Sequence, residues 1–169
     1  MIKDSIYNID NIISYIVKYD EGLSMNDMLD SDMTKMKLQK ILYYAQGHYL
    51  AKFETKLFNN AIFAWTHGPV VRDVYDDFSE CEYNQIVEKV INNNDKYNSD
   101  IIFKNQKDKD FLDNLMMYYS QFSPWGLRQM THNENNCNNP WTKTKKDEEI
   151  SIDLILDFFK KIEDKNRFF

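Results

Sequence analysis

The first twenty residues place isoleucine at every third or fourth position. The apolar series is Ile2, Ile6, Ile9, Ile13 and Ile16. Because 3.6 residues make one helical turn, this spacing predicts an amphipathic helix over residues 2–19 with one buried face. Gly22 is expected to end that helix, since glycine readily adopts the left-handed conformation found just beyond helix ends.

A different pattern follows in the segment KLQKILYYAQGHYLA at residues 37–51. When each residue advances by about 100°, the apolar side chains gather on two opposite sides of the helix. One side holds Leu38, Ile41, Leu42, Ala45 and Tyr49, and the other holds Met36, Tyr43, Gly47 and Leu50. A helix that is apolar on both sides is expected to lie at the centre of the fold, with other elements packed on each face.

Four positions refine this prediction of a central helix. Thr34 is a suitable N-cap, because its hydroxyl can accept a hydrogen bond from a backbone N–H of the first turn. Gly47 leaves room for another backbone to approach the helix. Tyr44 and His48 lie one turn apart at the edge between the two apolar sides, where a polar tip can reach a partner or water.

The segment AIFAWTHGPVVRDVYDDF at residues 61–78 combines a short apolar run with a turn. AIFAW predicts a short strand or an extended approach, and THGP is expected to end it. Pro69 is predicted to occupy the first position of a helix, where its missing N–H is not needed. The buried stripe of that helix would be Val70, Val71, Val74, Tyr75 and Phe78.

The rest of the chain alternates polar segments with helical patterns. Residues 79–109 are polar and predict a loop or a variable insertion, apart from a brief helix. That helix is indicated by Ile86, Val87, Val90 and Ile91. Helical spacing returns at Phe111, begins again after Ser123 and Pro124, and forms a last stripe over residues 152–162. The sequence therefore predicts a mainly α fold, a single domain over residues 1–169 that forms a compact helical bundle around the central helix and allows a minor short β element.

The composition supports helices and argues against several functions. The chain is 43% hydrophobic with four glycines and three prolines, which favours helices over turn-rich β architecture. Its net charge of −6 repels phosphate, and the basic run KTKK at residues 143–146 is followed at once by three acids, so nucleic-acid binding is not expected. No apolar run reaches the length of a membrane span and no signal-peptide pattern is present, which predicts a cytoplasmic location without membrane binding.

The candidate chemical groups are three histidines, His48, His67 and His132, and the acids Glu54, Asp73 and Glu134. No two histidines have the spacing of metal ligands on one element, and Cys81 and Cys137 form no CxxC pair. A glycine-rich phosphate loop and a GxSxG serine are also missing from the sequence. We therefore expect no enzyme activity, no metal and no cofactor. The competing enzymatic interpretation needs His67, His132 and Glu134 to converge in one cleft.

Several motifs occur together in an order that resembles one known family. They are KLQKILYYAQGHYLA at residues 37–51, LF at 57–58, AWTHGPVVRDVYDDF at 64–78, LRQMTHNE at 127–134 and PW at 140–141. This series resembles the Panacea domain of SocA-like and phage-associated, GepA-type proteins over residues 34–162, except for 79–109. The resemblance implies a compact helical antitoxin that holds a toxin inactive through direct contact.

The same resemblance implies partners and site residues. The partner would be a cognate toxin protein, and delivery of that toxin to a ClpXP-type protease is a second mechanism. An alternative interpretation is a phage or mobile-element regulator that acts on a host factor. The candidate partner-binding or signature residues are Lys40, Tyr43, Tyr44, His48, Trp65, His67, Pro69, Thr131, His132, Glu134 and Trp141. Most of them are expected to build the fold, while residues 79–109 or the N-terminal helix would carry partner choice.

Overall fold

The fold is mainly α, as the sequence predicts. A computed structural model describes residues 1–26, 32–82, 85–97, 103–133 and 139–166 of the chain. Its elements are α1 (Ile9–Met25), α2 (Lys35–Phe53), β1 (Ile62–Trp65), β2 (Gly68–Val71), α3 (Arg72–Asp77), α4 (Gln85–Asn92), α5 (Gln106–Tyr119), α6 (Pro124–Asn133), α7 (Pro140–Lys143) and α8 (Ile152–Asn166). Among the described helices, none combines the length and the apolar character that crossing a membrane requires.

Helix α2 lies at the centre of the molecule, which confirms the prediction made from its two apolar sides. Every residue over 37–50 is buried, and α8, α6, β2, α1 and α5 all pack against it. The predicted cap is also present, because the Thr34 hydroxyl accepts from the backbone N–H of Lys37 at 3.1 Å. The helix ends at Glu54, which adopts the left-handed conformation with φ of 49°.

Gly47 allows the closest packing against α2. A β-carbon at this position would lie well inside contact distance of the Phe159 ring on α8. The sequence predicted that a second backbone would use this space, but an aromatic side chain fills it. The Phe159 ring also meets the Tyr43 ring edge to face, with centroids 5.4 Å apart. The contact between α2 and α8 therefore depends on having no side chain at Gly47.

The predicted helix over residues 2–19 is wrong at both ends. Helix α1 begins only at Ile9, because the Asn8 side chain accepts from the backbone N–H of Asp10 at 3.0 Å and caps it there. Before that cap the chain is extended, and backbone hydrogen bonds join Lys3 to Glu54 and Lys56. At the other end Gly22 lies inside the helix, which continues to Met25.

The predicted strand at AIFAW is confirmed as β1, but the helix expected at Pro69 is not formed there. Pro69 belongs to β2, opposite Ala64 in an antiparallel hairpin whose two-residue turn is residues 66–67. The far side of β1 pairs with residues 147–150, so β2 is an edge strand, where proline is tolerated. Helix α3 begins only at Arg72, and Tyr75 on the expected buried stripe is 38% exposed.

The described parts of the segment 79–109 contain more helix and more buried side chains than the predicted polar loop. The brief helix is confirmed as α4, whose Ile86 and Val90 are fully buried. Tyr97 is also fully buried, and its carbonyl accepts from the Ser14 hydroxyl of α1 at 3.3 Å. Helix α5 already begins at Gln106, before the first apolar residue of its stripe. Among the described residues, this segment thus contributes to the core, and its variability stays a prediction.

Candidate partner-binding site

The β-hairpin, the start of α2 and the start of α6 enclose an apolar groove with a volume of about 1070 Å³. We call it the hairpin groove. Its wall residues include Met36, Gln39, Lys40, Trp65, His67, Val70, Tyr75, Cys81 and Trp125. Two of its aromatic side chains remain exposed, Trp125 by 58% and Tyr75 by 38%. Exposed aromatics beside an apolar concavity are typical of protein-binding surfaces.

The aromatic side chains of the groove are held by neighbours that orient their rings. Trp65 at the end of β1 meets Tyr75 edge to face, with ring centroids 4.8 Å apart. The Arg128 guanidinium lies over the Trp125 ring, 4.7 Å from its centroid, one turn along α6. Helix α6 begins as predicted, because the Ser123 hydroxyl accepts from the backbone N–H of Gly126 at 3.1 Å.

Lys40 lies at the floor of the hairpin groove and is only 2% exposed. Its ammonium donates to the Pro69 carbonyl oxygen at 3.2 Å. No carboxylate among the described residues forms an ion pair with it. Burial, and secondarily the Arg128 charge, lowers the pKa of Lys40 to about 7. The hairpin thus lies against a buried amine that has one acceptor among the described residues, although an ammonium can donate three hydrogen bonds.

Gly68 controls the contact between the hairpin and Lys40. Its φ of +108° is a conformation that residues with a side chain rarely adopt. A β-carbon here would lie 2.5 Å from the Lys40 nitrogen, so any larger residue would also displace the amine. These two constraints explain why the sequence has glycine followed by proline at positions 68 and 69. Gly68 shapes the turn and Pro69 supplies the carbonyl that Lys40 binds.

A second cluster lies where the hairpin turn meets α6 and α7. The Trp141 indole N–H donates to the Trp65 carbonyl at 2.8 Å, and its ring lies 4.4 Å from the His132 ring. His132 Nε2 is buried and has no partner among the described atoms. Burial lowers the pKa of His132, a hydrogen bond with the His67 backbone raises it, and the Arg128 charge lowers it further. This imidazole is therefore biased toward its neutral form.

Other predicted site residues lie in the interior. Tyr43, Tyr44, His48 and Thr131 are each 2% exposed or less. The Tyr44 ring stacks on Tyr119 at 4.6 Å, and the Tyr119 hydroxyl is 2.8 Å from His48 Nε2. Tyr44 also reaches the Thr131 hydroxyl at 3.4 Å. Tyr44, His48 and Thr131 thus join α2 to α5 and α6, while Tyr43 packs on Phe159 of α8. The predicted edge position of Tyr44 and His48 is occupied by protein partners.

Sequence reasoning included Gln39 only as part of the KLQK motif and gave no role to Gln46 or Trp125. The Gln39 amide accepts from the Val71 N–H at 2.7 Å and donates to the Val71 carbonyl at 3.2 Å, which fixes the hairpin to α2. Gln46, two turns later, binds the backbone of Leu57 and Phe58 in the same way. The available signal was a pair of amides seven residues apart in an otherwise apolar stripe. Trp125 had no signal beyond its place in the first turn of a short helix.

The remaining predictions concern metals, cysteines and Glu134. Over the described ranges, no group of three or more histidine, cysteine or acidic side chains is arranged to hold a metal ion. Cys81 is a buried free thiol beside the groove. Glu134 and Cys137 lie outside the described residues. His67 and His132 do lie together at the hairpin turn, but the third member of the enzymatic interpretation thus has no described position.

Most of the groove residues fall within a recognised protein domain. A family model described as "Antitoxin SocA-like, Panacea domain" matches residues 38–142. The chain is 26% identical over 113 residues to "Antitoxin SocA" of Caulobacter vibrioides (strain NA1000 / CB15N), an alignment that covers 67% of this chain. The chain spans 60% of the length of that relative. No solved structure matches the chain.

Proposed function

The chain belongs to the SocA-like Panacea-domain family, and from this premise we propose that it is an antitoxin that holds a cognate toxin inactive by direct contact. The family model spans most of the central helix, the hairpin and α6, and these elements supply most of the walls of the hairpin groove. The name of the curated relative supports an antitoxin role for this chain. The toxin itself is proposed to be the product of an adjacent reading frame.

One observation carries the binding part of this proposal. The hairpin groove combines exposed aromatic side chains, Trp125 and Tyr75, with a buried amine, Lys40. Tryptophan and tyrosine contribute more binding free energy than most residues in protein interfaces, because they bury a large area at a low entropic cost. A rigid central helix supports one wall of the groove, so little ordering is needed when a partner binds. These properties favour a stable complex with another protein.

We also propose that this antitoxin makes no covalent change in its toxin. Two of the three histidines have packing contacts in the described part of the chain, because His48 binds Tyr119 and the His132 ring packs against Trp141. General acid–base catalysis needs a titratable group within reach of a bound substrate and oriented by a second group. Binding alone accounts for the arrangement around these residues.

A growth experiment tests the proposed function. The product of the adjacent reading frame is expressed alone and then together with this chain. The proposal expects growth arrest in the first case and restored growth in the second. The experiment is repeated in a host that lacks its ClpXP-type protease, where rescue by direct contact should persist. Absence of toxicity, or absence of rescue, would contradict the antitoxin role, and rescue that needs the protease would replace direct neutralisation by delivery for degradation.

A further inference from the structure

We propose that the hairpin groove receives a segment of the toxin that carries a carboxylate flanked by aromatic or aliphatic side chains, and that this carboxylate pairs with Lys40. The inference deepens the proposed function and rests on it for the identity of the partner. The chemistry of the segment follows from the groove itself. Its apolar walls select the flanking side chains, and its buried amine selects the charge.

The charge argument begins with the bonding of Lys40. A fully buried ammonium ion without a counter-ion is costly, which is why buried lysines are normally paired. Lys40 has one neutral acceptor, the Pro69 carbonyl, and no described carboxylate. An incoming carboxylate would supply the missing counter-ion and accept a charge-assisted hydrogen bond. Lys40 would then be protonated on binding, because an adjacent negative charge favours the ammonium form.

The surroundings of Lys40 also favour an acidic partner. The whole chain carries a net charge of −6. The groove walls nevertheless hold three lysines, at positions 35, 40 and 146, against two acids, at positions 82 and 147. Arg128 adds a further cation where it stacks on Trp125. Since the sign of this local charge is opposite to that of the chain, the groove attracts an acidic segment that the rest of the surface repels.

The apolar requirement follows from the walls. Trp125 and Tyr75 are the two large exposed aromatics of the groove, and Val70 and Met36 lie between the hairpin and α2. A carboxylate that approached alone would leave these surfaces in water and would stay solvated itself. Flanking apolar side chains exclude water from the pair, which strengthens the ionic interaction and contributes most of the buried area. A segment that combines both features therefore fits better than either a free anion or a purely apolar helix.

A peptide experiment on the isolated chain tests this inference without the toxin. Short random peptides displayed on phage are selected on the wild-type protein, and the strongest binder is synthesised together with a twin in which glutamine replaces glutamate. We expect the selected peptides to contain an acidic residue close to an aromatic one. The acidic peptide should bind about tenfold more tightly than its twin, as befits one buried charge-assisted contact. Lys40→Met should remove that preference, so that the acidic peptide and its twin bind with the same affinity.

Two further variants test whether the peptides bind in the groove without changing Lys40. Trp125→Ala should weaken both peptides about tenfold, because it removes an exposed wall of the groove. Met117→Ala is the matched control, since Met117 is 66% exposed on α5 and does not line the groove. It should change neither affinity. If Lys40→Met does not fold, as judged by circular dichroism, the twin peptides on wild-type protein and the Trp125→Ala variant still decide the question.

Several outcomes would overturn the inference. They are selected peptides without acidic residues, equal affinity for the two twins, and a Lys40→Met variant that keeps the preference for the acidic peptide. A wild-type chain that forms a dimer through Trp125 would also overturn it, because the groove would then receive a second copy. The growth experiment is separate from these tests. Rescue of growth without carboxylate preference defeats only the groove inference, while carboxylate preference without rescue defeats the proposed function.

Discussion

Two buried lysines stand one turn apart on the central helix and differ in almost everything except burial. Lys37 is 1% exposed and Lys40 is 2% exposed. Lys37 forms ion pairs with Asp20, at 3.3 Å, and with Asp32, and it donates to the Ser120 carbonyl at 3.1 Å. Among the described residues, Lys40 donates to one acceptor, the Pro69 carbonyl. The first lysine is paired within the fold, whereas the second faces a groove and has no counter-ion in the described part of the chain. This difference suggests a structural role for Lys37 and a binding role for Lys40.

The largest expected effect is the difference in unfolding free energy between methionine variants of the two lysines. Lys37→Met leaves the 4% exposed Asp20 without its cation and should lower the free energy of unfolding by about 3 kcal/mol. Lys40→Met removes an unpaired amine from an apolar site, so its effect should lie between no change and a gain of about 1 kcal/mol. Urea denaturation at pH 7 measures both. Equal losses in the two variants would break the comparison.

The packed side of α2 can be tested at Gly47. Gly47→Ala forces a methyl group into the Phe159 ring and should cost about 2 kcal/mol in unfolding free energy. Gly22→Ala is the matched control, because Gly22 lies inside α1 with nothing within 4 Å of the place that an added methyl group would occupy, and alanine favours a helix. That control should gain about 0.5–1 kcal/mol. Thermal or urea unfolding that ranks the two variants in the opposite order would contradict tight packing between α2 and α8.

The protonation of Lys40 sharpens the comparison through pH. Its pKa is lowered to about 7 in the folded protein from 10.5 in the unfolded chain. Between these values the unfolded state binds more protons, so this group makes the protein more stable as pH rises from 7 to about 10. Urea unfolding at several pH values, with Lys40→Met as the reference, isolates the contribution. Between pH 7 and about 10, the unfolding free energy of the wild type should rise relative to that of the variant by about 1 kcal/mol or more. Parallel pH profiles would show that Lys40 is not desolvated.

The smallest expected change in stability is at Trp125. Because this side chain is 58% exposed, Trp125→Ala should change the unfolding free energy by no more than about 0.5 kcal/mol. Rescue of growth from the toxin should nevertheless be lost, since the groove loses an anchoring aromatic. Met117→Ala should keep both stability and rescue. A Trp125 variant that unfolds readily would show a structural role for this side chain, and one that rescues growth as well as wild type would exclude Trp125 from the interface.

The central helix was predictable because its information is local. Its two apolar stripes and its Thr34 cap are visible in neighbouring residues. The start of α6 after Ser123 was predictable for the same reason. The hairpin was not predictable in this way, because Pro69 can either begin a helix or occupy an edge strand. The choice depends on residues 147–150, which pair with the far side of β1. The N-terminal segment likewise became extended because backbone groups near Glu54 pair with it.

The sequence identified several residues that line the groove, but it could not separate them from residues that lie in the core. The family resemblance brought attention to Lys40, Trp65 and His132, yet the same set included Tyr44 and His48, which lie in the core. Periodicity cannot separate these classes, because a buried tyrosine and an interface tyrosine have the same spacing on a helix. Nor can it separate Lys37 from Lys40, since the difference depends on where the fold places Asp20 and Asp32. Trp125 was missed because spacing along a helix does not distinguish an exposed aromatic side chain from a buried one.

The most direct test of the account is a titration of purified toxin activity with this purified chain, in the absence of any protease. If the chain acts by occupying the toxin, activity should fall linearly with added chain, should reach zero at a fixed molar ratio, and should not depend on incubation time. Complete loss of toxin activity at a small fraction of that ratio, increasing with time, would mean that the chain turns over as a catalyst and would contradict the account.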